Sequence, residues 1–295
     1  MVIVEVGKCV GCGSCVEICH EGCMRLDDGT VAIDHTLCST CTQCIAICPQ
    51  EALSWNGMSP VPYDRDHLPT PEQLDELFKE RRTMRFFAAQ RIDRGLLQEI
   101  VSYGIYAPTN NYHLQAIIVD DEETIALLDR ICTETAAKIY RLIYRPKIVF
   151  NLLRRLTTSL KETDRVKFEH VIARGYTLHK PPAIVLVVGE KWVAHSEASA
   201  QYYLYNMMLY AQAKGLGSCL WGGGKLLLDR SKVARERLGM QRGEHILGIV
   251  VLGYPGVHFA NKVKGKTLPI RWGAGEVDGL GAHPSAGFGR KSDSN

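Results

Sequence analysis

Two cysteine-rich stretches, CVGCGSCVEIC at residues 9–19 and CSTCTQCIAICP at residues 38–49, decide the organisation of the first part of this chain. Each has the spacing Cys-x2-Cys-x2-Cys-x3-Cys, and nine of the eleven cysteines lie between Cys9 and Cys48. At this spacing, three thiolates from one loop hold three irons of a 4Fe–4S cube, and the fourth cysteine reaches across to a second cube. The pattern therefore predicts a domain that binds two 4Fe–4S clusters.

The same spacing predicts which cysteines share a cluster. The first three cysteines of one run should act together with the last cysteine of the other. The predicted ligands are Cys9, Cys12, Cys15 and Cys48 for the first cluster, and Cys19, Cys38, Cys41 and Cys44 for the second. Structural zinc usually takes two separated pairs of ligands and fits this pattern poorly. Cys23 is an additional thiol, and a spare ligand and a small buried side chain are both open interpretations.

Length and hydropathy limit the class of protein. A chain of 295 residues accommodates one or two domains. No stretch approaches the roughly 20 apolar residues that a transmembrane helix requires. The N-terminus, MVIVEVGKC, has no basic segment ahead of a long apolar one, so we expect no secretory signal. These features predict a cytoplasmic protein without a membrane partner.

Charge is distributed unevenly along the chain. Residues 1–58 contain two basic and seven acidic side chains, a net charge of −5, so the remainder must carry +8 to give the total of +3. A basic module can bind nucleic acid or a phosphorylated cofactor. We find no helix-turn-helix signature, zinc finger or long basic run, and we therefore expect no nucleic-acid partner.

A proline-rich segment separates the cysteine module from a second domain. Residues 56–71 hold four of the twelve prolines, and we interpret 59–71 as a linker between domains at 1–58 and 72–278. Apolar periodicity then predicts helices at 71–81, 94–105 and 197–214 and strands at 115–119, 183–188 and 246–252. The fold class is therefore α+β: a small two-cluster domain, then a sandwich with a central buried helix. We expect residues 279–295 to be a disordered tail.

Helix 197–214 has apolar or aromatic residues on nearly all sides. Such a helix is buried on several faces. It either packs against a partner subunit or lies at the centre of a monomer. Residues 121–175, which we interpret as a helical insertion, either cover an active site or decorate the surface.

Four short motifs in the second domain suggest a ligand with a phosphate and a flat ring. They are Arg81-Arg82-Thr83-Met84-Arg85-Phe86-Phe87, Ala107-Pro108-Thr109-Asn110-Asn111, Gly215-Leu216-Gly217-Ser218-Cys219-Leu220-Trp221-Gly222-Gly223-Gly224 and Gly253-Tyr254-Pro255. Arginine donates pairs of hydrogen bonds to phosphate, although basic clusters are often only solvated surface. Glycines let main-chain amides approach a ligand closely.

In this order, the four motifs resemble the FMN-dependent nitroreductase family, and with the cysteine module the chain resembles the ferredoxin–nitroreductase fusions of anaerobic microbes. The resemblance implies a homodimer in which each FMN is held by several of these motifs. It implies that Arg81, Arg82, Thr83 and Arg85 bind the FMN phosphate and ribityl chain. Pro108 and Thr109, with Asn110 or Asn111, would line the ring and its dimer-related edge. Gly222 and Gly223 would approach the ring, and one of Lys262, Lys264 and Lys266 would close over the phosphate.

The resemblance further implies an FMN- and iron–sulfur-dependent oxidoreductase. Electrons would pass from a low-potential donor, such as a ferredoxin, through the clusters to FMN and on to a flat, electron-poor acceptor such as a nitroaromatic or quinone. No protein acid or base is required, because the chemistry takes place on FMN. One alternative is an electron-transfer protein that serves a protein partner, and another is redox sensing through Cys132 or Cys219.

Overall fold

A computed structural model describes residues 1–108, 114–156, 162–178, 180–263, 268 and 270, without the side chain of Glu162. The chain forms two compact units, Met1–His258 and Phe259–Asn295. No helix in the described ranges is long and apolar enough to cross a membrane. The domain boundaries inferred from the sequence remain predictions, as does the disordered tail, which lies outside the described residues.

The cysteine-rich segment folds into two short antiparallel ribbons and two short helices. Its strands and helices are β1 (Val2–Val4), α1 (Ser14–Glu17), β2 (Met24–Asp27), β3 (Thr30–Ile33), α2 (Gln43–Ile47) and β4 (Leu53–Trp55). β1 pairs with β4, so the two ends of the segment meet, and β2 pairs with β3. A separate apolar core forms here around Val2, Met24 and Leu53 together with the cysteines.

Each cysteine run enters its helix through a residue with a left-handed backbone. Gly13 has φ of 80° before α1, and Thr42 has φ of 61° before α2. Glycine adopts this conformation at no steric cost, whereas threonine is strained in it. The two turns bend the chain within each run, between Cys12 and Cys15 in the first and between Cys41 and Cys44 in the second.

Two helices that begin with the predicted caps open the second domain. They are α3 (Pro71–Glu80) and α4 (Arg94–Tyr103). Thr70 and Gln73 form a capping box before α3, and the Asp93 carboxylate accepts a hydrogen bond from the Leu96 amide at 3.1 Å before α4. Such caps satisfy amides that have no partner inside the helix.

A four-stranded antiparallel sheet forms the centre of the second domain. Its strands are β5 (Gln115–Val119), β6 (Ala183–Glu190), β7 (Gly217–Leu220) and β8 (Glu244–Gly253), in the order β5-β6-β8-β7. The central strands β6 and β8 are buried over nearly their whole length, as their continuous apolar sequences predict. β5 and β7 are the two edges of this sheet.

Helices cover both faces of the sheet and give the sandwich its layers. The remaining helices are α5 (Glu122–Ile139), α6 (Lys147–Leu156), α7 (Glu162–Arg174), α8 (Ser196–Ala213), α9 (Gly222–Asp229) and α10 (Lys232–Arg237). α4 and α8 pack on one face around Leu97, Leu204 and Met207. α5, α9 and α10 pack on the other face around Leu128 and Leu228. The predicted α+β sandwich is confirmed.

The long helical region predicted at 121–175 consists of two parts. α5 buries Ile125, Leu128 and Cys132 in the core of the sheet domain. A π-helical turn at Tyr140–Tyr144 follows, and then α6 and α7. Only the part after α5 is therefore an addition to the sandwich.

α8 is the central helix predicted from the sequence. One face is fully buried through Ala200, Leu204 and Met207, whereas Tyr202 is 52% exposed and Tyr205 is 43% exposed. Within a single chain the helix thus keeps an aromatic face open to solvent. The choice between a partner subunit on this face and a helix at the centre of a monomer remains a prediction.

Candidate functional site

The predicted cluster ligands separate into two cavities in the cysteine-rich segment. One cavity is lined by Cys9, Cys12, Cys15 and Cys48. The other is lined by Cys19, Cys38, Cys41 and Cys44, with Cys23 as a fifth thiol. Both sets of four match the groups predicted from the spacing, including the exchange of the fourth cysteine between the runs. Each cavity therefore has the four thiols that a cubic cluster requires.

Nothing in this segment resembles a site for a single ion. Among the described residues, no three histidine, cysteine, aspartate or glutamate side chains converge as they would around one metal ion. Burial raises the pKa of the Cys44 thiol to about 11. A bound metal deprotonates such a thiol outright.

Cys23 lies against one of the predicted ligands. Its sulfur is 3.3 Å from the sulfur of Cys19, and the residue is only 5% exposed. Burial, with a smaller contribution from Cys19, raises the pKa of the Cys23 thiol to about 12. Cys23 is therefore a buried side chain that also lines the second cavity, and both interpretations of this residue remain open.

The segment at residues 81–88, here called the arginine arm, is fastened along the edge strand β7. The Met84 amide donates to the Ser218 carbonyl at 2.9 Å, and Thr83 forms an isolated parallel bridge with Ser218. Met84 is 5% exposed and anchors the arm, whereas Thr83 and Arg85 are exposed and Arg81 and Arg82 are half-buried. The arm thus buries its apolar residue and leaves its polar side chains accessible to a ligand.

The C-terminal end of the arginine arm is fastened to the Gly253-Tyr254-Pro255 motif. The Ala88 amide donates to the Tyr254 carbonyl at 2.9 Å, and the Gly256 amide donates to the Phe86 carbonyl at 2.9 Å. Gly253 is required here, because an added Cβ would lie 2.5 Å from the Phe87 ring. Three of the four motifs therefore come together at one edge of the sheet.

β7 leads directly into a second set of donors, the glycine turn Gly222–Gly224, which is the first turn of α9. The first hydrogen bond of the helix runs from the Lys225 amide to the Trp221 carbonyl at 3.3 Å, so the three glycine amides have no partner within the helix. A Cβ built on Gly222 or Gly223 would meet no atom within 4 Å, whereas one on Gly224 would lie 2.4 Å from the Trp221 ring. The space beside Gly222 and Gly223 is therefore open, and their amides have no partner within the helix.

Electrostatics link the arginine arm to β7. Burial raises the pKa of the Cys219 thiol, and the positive charge of Arg85 acts in the opposite direction. Arg85 therefore lies close to the strand that ends at the glycine turn. Guanidinium groups, a threonine hydroxyl and helix-start amides are all donors, and this donor set fits a phosphorylated ligand with a ring rich in acceptors.

Cys132 is the other cysteine outside the first segment. It has no exposed surface, and burial raises the pKa of its thiol to about 12. An inaccessible, protonated thiol is a poor redox sensor. The sequence alternative of sensing through Cys132 is not supported.

The loop that precedes β5 is described only in part. Ala107 is buried and Pro108 is exposed. Thr109, Asn110 and Asn111 lie outside the described residues, so their predicted roles remain predictions. The loop leads into β5, at the opposite edge of the sheet from β7. Neighbouring strands lie about 4.8 Å apart, so three strand spacings separate the two edges by roughly 14 Å.

The predicted phosphate-closing lysines cannot be compared with the arginine arm. Lys262 belongs to the second unit, and Lys264 and Lys266 lie outside the described residues. The choice among them remains a prediction.

A cleft of about 1140 Å³ opens beside the arginine arm. Phe86 and Phe87 form one wall immediately after Arg85, α5 contributes Ile125 and Ala126, and the segment before β6 contributes Tyr176. Apart from Phe86 and Phe87, which end the first motif, the residues that line this cleft belong to none of the four motifs, and the sequence did not predict it. The aromatic pair after Arg85 is the one signal that could have pointed to it.

Comparison with known proteins agrees with this division of the chain. The model of the nitroreductase family matches residues 78–254, which is more than half of the chain. The chain belongs to the nitroreductase family. The model of a 4Fe-4S dicluster domain matches residues 8–52. The prediction of an oxidoreductase that joins an iron–sulfur domain to a nitroreductase domain is therefore confirmed.

Similar solved structures and a curated relative cover different parts of this nitroreductase-family chain. A nitroreductase with bound FMN from Bacteroides fragilis is 22% identical with a TM-score of 0.51, covering 67% of this chain and 98% of that one. A nitroreductase with bound FMN from Desulfitobacterium hafniense is 17% identical with a TM-score of 0.52, covering 69% and 100%. A component of the ion-translocating oxidoreductase complex of Methanosarcina acetivorans is 41% identical over 51 residues, which are 17% of this chain and 19% of that protein.

Proposed function

We propose that this protein carries electrons through two 4Fe–4S clusters to FMN and on to a flat, electron-poor acceptor such as a nitroaromatic or quinone. The observation that carries the flavin part is the attachment of the arginine arm to β7, because this strand runs into the glycine turn. When bound, the clusters pass single electrons, and FMN passes electrons on to the acceptor singly or as a pair.

The chain's own residues bind and orient the cofactor. Arg81, Arg82 and Arg85 supply charge-assisted hydrogen bonds to a phosphate, and the Thr83 hydroxyl adds a donor. The amides of Gly222 and Gly223 donate to acceptor atoms at the edge of the ring, and they carry the partial positive charge of a helix start. A lysine beyond β8, chosen from Lys262, Lys264 and Lys266, completes the neutralisation of the phosphate.

The proposed iron ligands are grouped by the cavity that they line. We assign Cys9, Cys12, Cys15 and Cys48 to one cluster and Cys19, Cys38, Cys41 and Cys44 to the other. The assignment is supported by two independent lines, the repeated spacing and the separation of the thiols into two sets. A low-potential donor such as a reduced ferredoxin delivers the electrons in this scheme.

The cleft beside the arginine arm is where we place the acceptor. It begins at Phe86, directly after Arg85, and its lining combines aromatic and aliphatic side chains with charged ones, which suits a flat organic molecule that carries polar groups. Gly222 and Gly223 are exposed, so among the described residues none covers the ring edge at this turn. An open ring favours reaction with a small molecule over transfer to a protein partner alone.

A second copy of the chain completes the site in this proposal. Tyr202 and Tyr205 leave an aromatic face of α8 exposed, and a homodimer would bury it. In sequence, Pro108, Thr109, Asn110 and Asn111 come shortly before β5, the strand at the far edge of the sheet. In this proposal the partner subunit contributes these four residues to the ring.

Anaerobic purification followed by measurement of iron, acid-labile sulfide and flavin per chain tests the proposal. About eight irons and one FMN are expected, and the flavin absorbance should bleach on addition of dithionite-reduced ferredoxin. A parallel cell with NAD(P)H identifies the donor. Iron without flavin would exclude the flavin enzyme and leave an electron carrier, and a bleached flavin that no nitro or quinone compound reoxidises would exclude the acceptor class.

A further inference from the structure

The two cysteine cavities differ in the number of thiols that line them. The cavity of Cys9 is lined by four cysteines, and the cavity of Cys38 is lined by five. A cubic cluster offers one iron to each of four cysteines, so one thiol of the second cavity exceeds the requirement. The supernumerary thiol is Cys23, because Cys19 completes the repeated spacing.

Local backbone structure explains why Cys23 reaches this cavity. Gly22 has φ of 62°, and its amide donates to the Cys19 carbonyl at 3.1 Å, which closes a turn just after the fourth cysteine of the run. The chain then enters β2, where the Cys23 carbonyl accepts a hydrogen bond from the Asp34 amide at 2.7 Å. The turn and the β-ribbon therefore hold Cys23 beside Cys19.

The two sulfurs lie side by side. They are 3.3 Å apart, and both residues line one cavity together with Cys38, Cys41 and Cys44. Two thiols so close together can reach the same vertex of a cube, each by a small rotation about its own side-chain torsions. The first cavity offers no such pair among its lining residues, because Cys9, Cys12, Cys15 and Cys48 are each needed.

We propose that Cys23 is an alternate fourth ligand of the second cluster, able to replace Cys19. In the exchange, the iron–thiolate bond to Cys19 breaks and one to Cys23 forms. The proton that leaves Cys23 passes to Cys19, so no electron moves and the cluster keeps its charge. This inference rests on the proposed assignment of two clusters to the cysteine domain.

Iron content of matched variants tests the exchange. The variants are Cys19→Ala, Cys23→Ala, the double variant of both, and Cys48→Ala as the control in the cavity without a fifth thiol. Each is purified anaerobically, and iron, acid-labile sulfide and flavin are measured per chain, with electron paramagnetic resonance of the oxidised protein to detect three-iron clusters. Flavin content reports separately on the folding of the second domain.

We expect Cys19→Ala and Cys23→Ala each to keep the wild-type iron content of about eight. Cys48→Ala and the double variant should lose at least one iron, and a three-iron signal should appear if the cluster survives. Loss of iron from Cys19→Ala equal to that from the double variant would overturn the proposal and leave Cys23 as a packed thiol. If Cys19→Ala does not fold, Cys19→Val, which keeps a side chain of similar size and has no atom that can bind iron, is compared with the Cys19→Val, Cys23→Ala pair under the same criteria.

The outcome is distinguishable from failure of the two-cluster assignment. Wild-type protein with about four irons would contradict two clusters whatever the variants do. Wild-type protein with about eight irons, and a Cys19→Ala variant with fewer, would contradict only the exchange.

Discussion

The amide of Met84 donates a hydrogen bond to the carbonyl of Ser218 at 2.9 Å, and this contact joins two motifs that are 134 residues apart in sequence. It fixes the arginine arm against β7, the strand that ends at the glycine turn. The site therefore depends on an anchor made by the backbone of the arm and by the buried Met84 side chain. The arginines themselves remain accessible for binding.

Removal of two arginines from the arm should release the cofactor without unfolding the chain. Arg81→Ala and Arg85→Ala each remove charge-assisted contacts, and each should weaken FMN binding by about 1.5–3 kcal/mol, or roughly 10- to 150-fold. Flavin retained after dialysis and titration of the apoprotein with FMN measure this. Arg25→Ala, which removes the same charge from β2, is the matched control and should bind FMN as wild type. Unchanged affinity in the double arginine variant would place the phosphate elsewhere.

Substitution by alanine should have opposite effects on the stability of the apoprotein at two neighbouring positions of the glycine turn, Gly223 and Gly224. An added Cβ at Gly223 meets no protein atom, so Gly223→Ala should leave the apoprotein as stable or up to about 1 kcal/mol more stable. FMN binding should nevertheless weaken, because the methyl group keeps the ring away from the amide. Gly224→Ala should instead lower the free energy of unfolding, since its Cβ would lie 2.4 Å from the Trp221 ring. Thermal unfolding of the apoproteins and FMN titration separate the two effects, and equal behaviour of both variants would contradict this prediction.

A substitution that clashes with Met84, combined with a second one that removes the clash, tests whether Met84 anchors the arginine arm to β7. A Cβ on Gly217 would lie 2.5 Å from Cγ of Met84, so Gly217→Ala should displace the arm from β7 and weaken FMN binding by about tenfold or more. Cβ of Met84 would also lie only 2.7 Å from the new methyl group, so the whole opposing side chain must be removed, and the double variant Gly217→Ala, Met84→Gly should bind FMN better than Gly217→Ala alone. The double-mutant cycle measures this coupling. Additive losses would mean that the arm and β7 act independently.

Sequence reasoning identified the elements that carry strong periodicity or caps. It placed β5 at Gln115–Val119, as observed, and the N-terminal end of α3 through Thr70 and Gln73. It interpreted Gly215–Gly224 as one glycine-rich segment, whereas the structure divides it into β7 and the first turn of α9. Four residues flanked by glycines give too short a pattern to reveal an edge strand, which exists here because it pairs with β8.

The parts of the candidate site that rest on a fixed spacing of residues could be predicted from the sequence. The parts that depend on contacts between distant segments could not. The repeated spacing alone predicts that Cys48 joins the three cysteines of the first run rather than those of its own run. The approach of Cys23 to Cys19 required the turn at Gly22, and the cleft beside Phe86 required the placement of α5. These features arise from packing between distant segments, and no local pattern encodes them.

A bulky side chain in the cleft should block the acceptor and spare the cofactor. Ala126 is exposed and lines the cleft, so Ala126→Trp fills space without disturbing the core of α5. We expect KM for nitroaromatic or quinone acceptors to rise by about tenfold, because overpacking costs 1–3 kcal/mol, while flavin and iron contents stay unchanged. Ala137→Trp, on the same helix outside the lining of the cleft, is the control. An unchanged KM in Ala126→Trp would show that the acceptor binds elsewhere.

The stability that the contact between α4 and α8 contributes should depend on pH through Glu99. Its carboxylate accepts a hydrogen bond from the Tyr210 hydroxyl and lies 2.9 Å from Nζ of Lys214, and these partners hold the pKa of Glu99 below its usual value. A depressed folded-state pKa contributes stability that is complete above the unfolded-state pKa of about 4.3 and is lost as pH falls through the folded-state pKa. We therefore expect Glu99→Gln to be less stable than wild type at pH 7, with the difference shrinking as the pH falls below about 4.3.

Denaturant unfolding of wild type and Glu99→Gln, monitored by intrinsic fluorescence at a series of pH values, measures this difference. Comparing the two proteins at each pH removes the effect of acid on the iron–sulfur domain, because that effect is common to both. Glu80→Gln, which removes a carboxylate from the exposed end of α3, should follow the wild-type curve. A constant difference between wild type and Glu99→Gln from pH 7 to pH 3 would mean that Glu99 stabilises the interface through packing, because a contribution from its charge must disappear once the carboxylate is protonated.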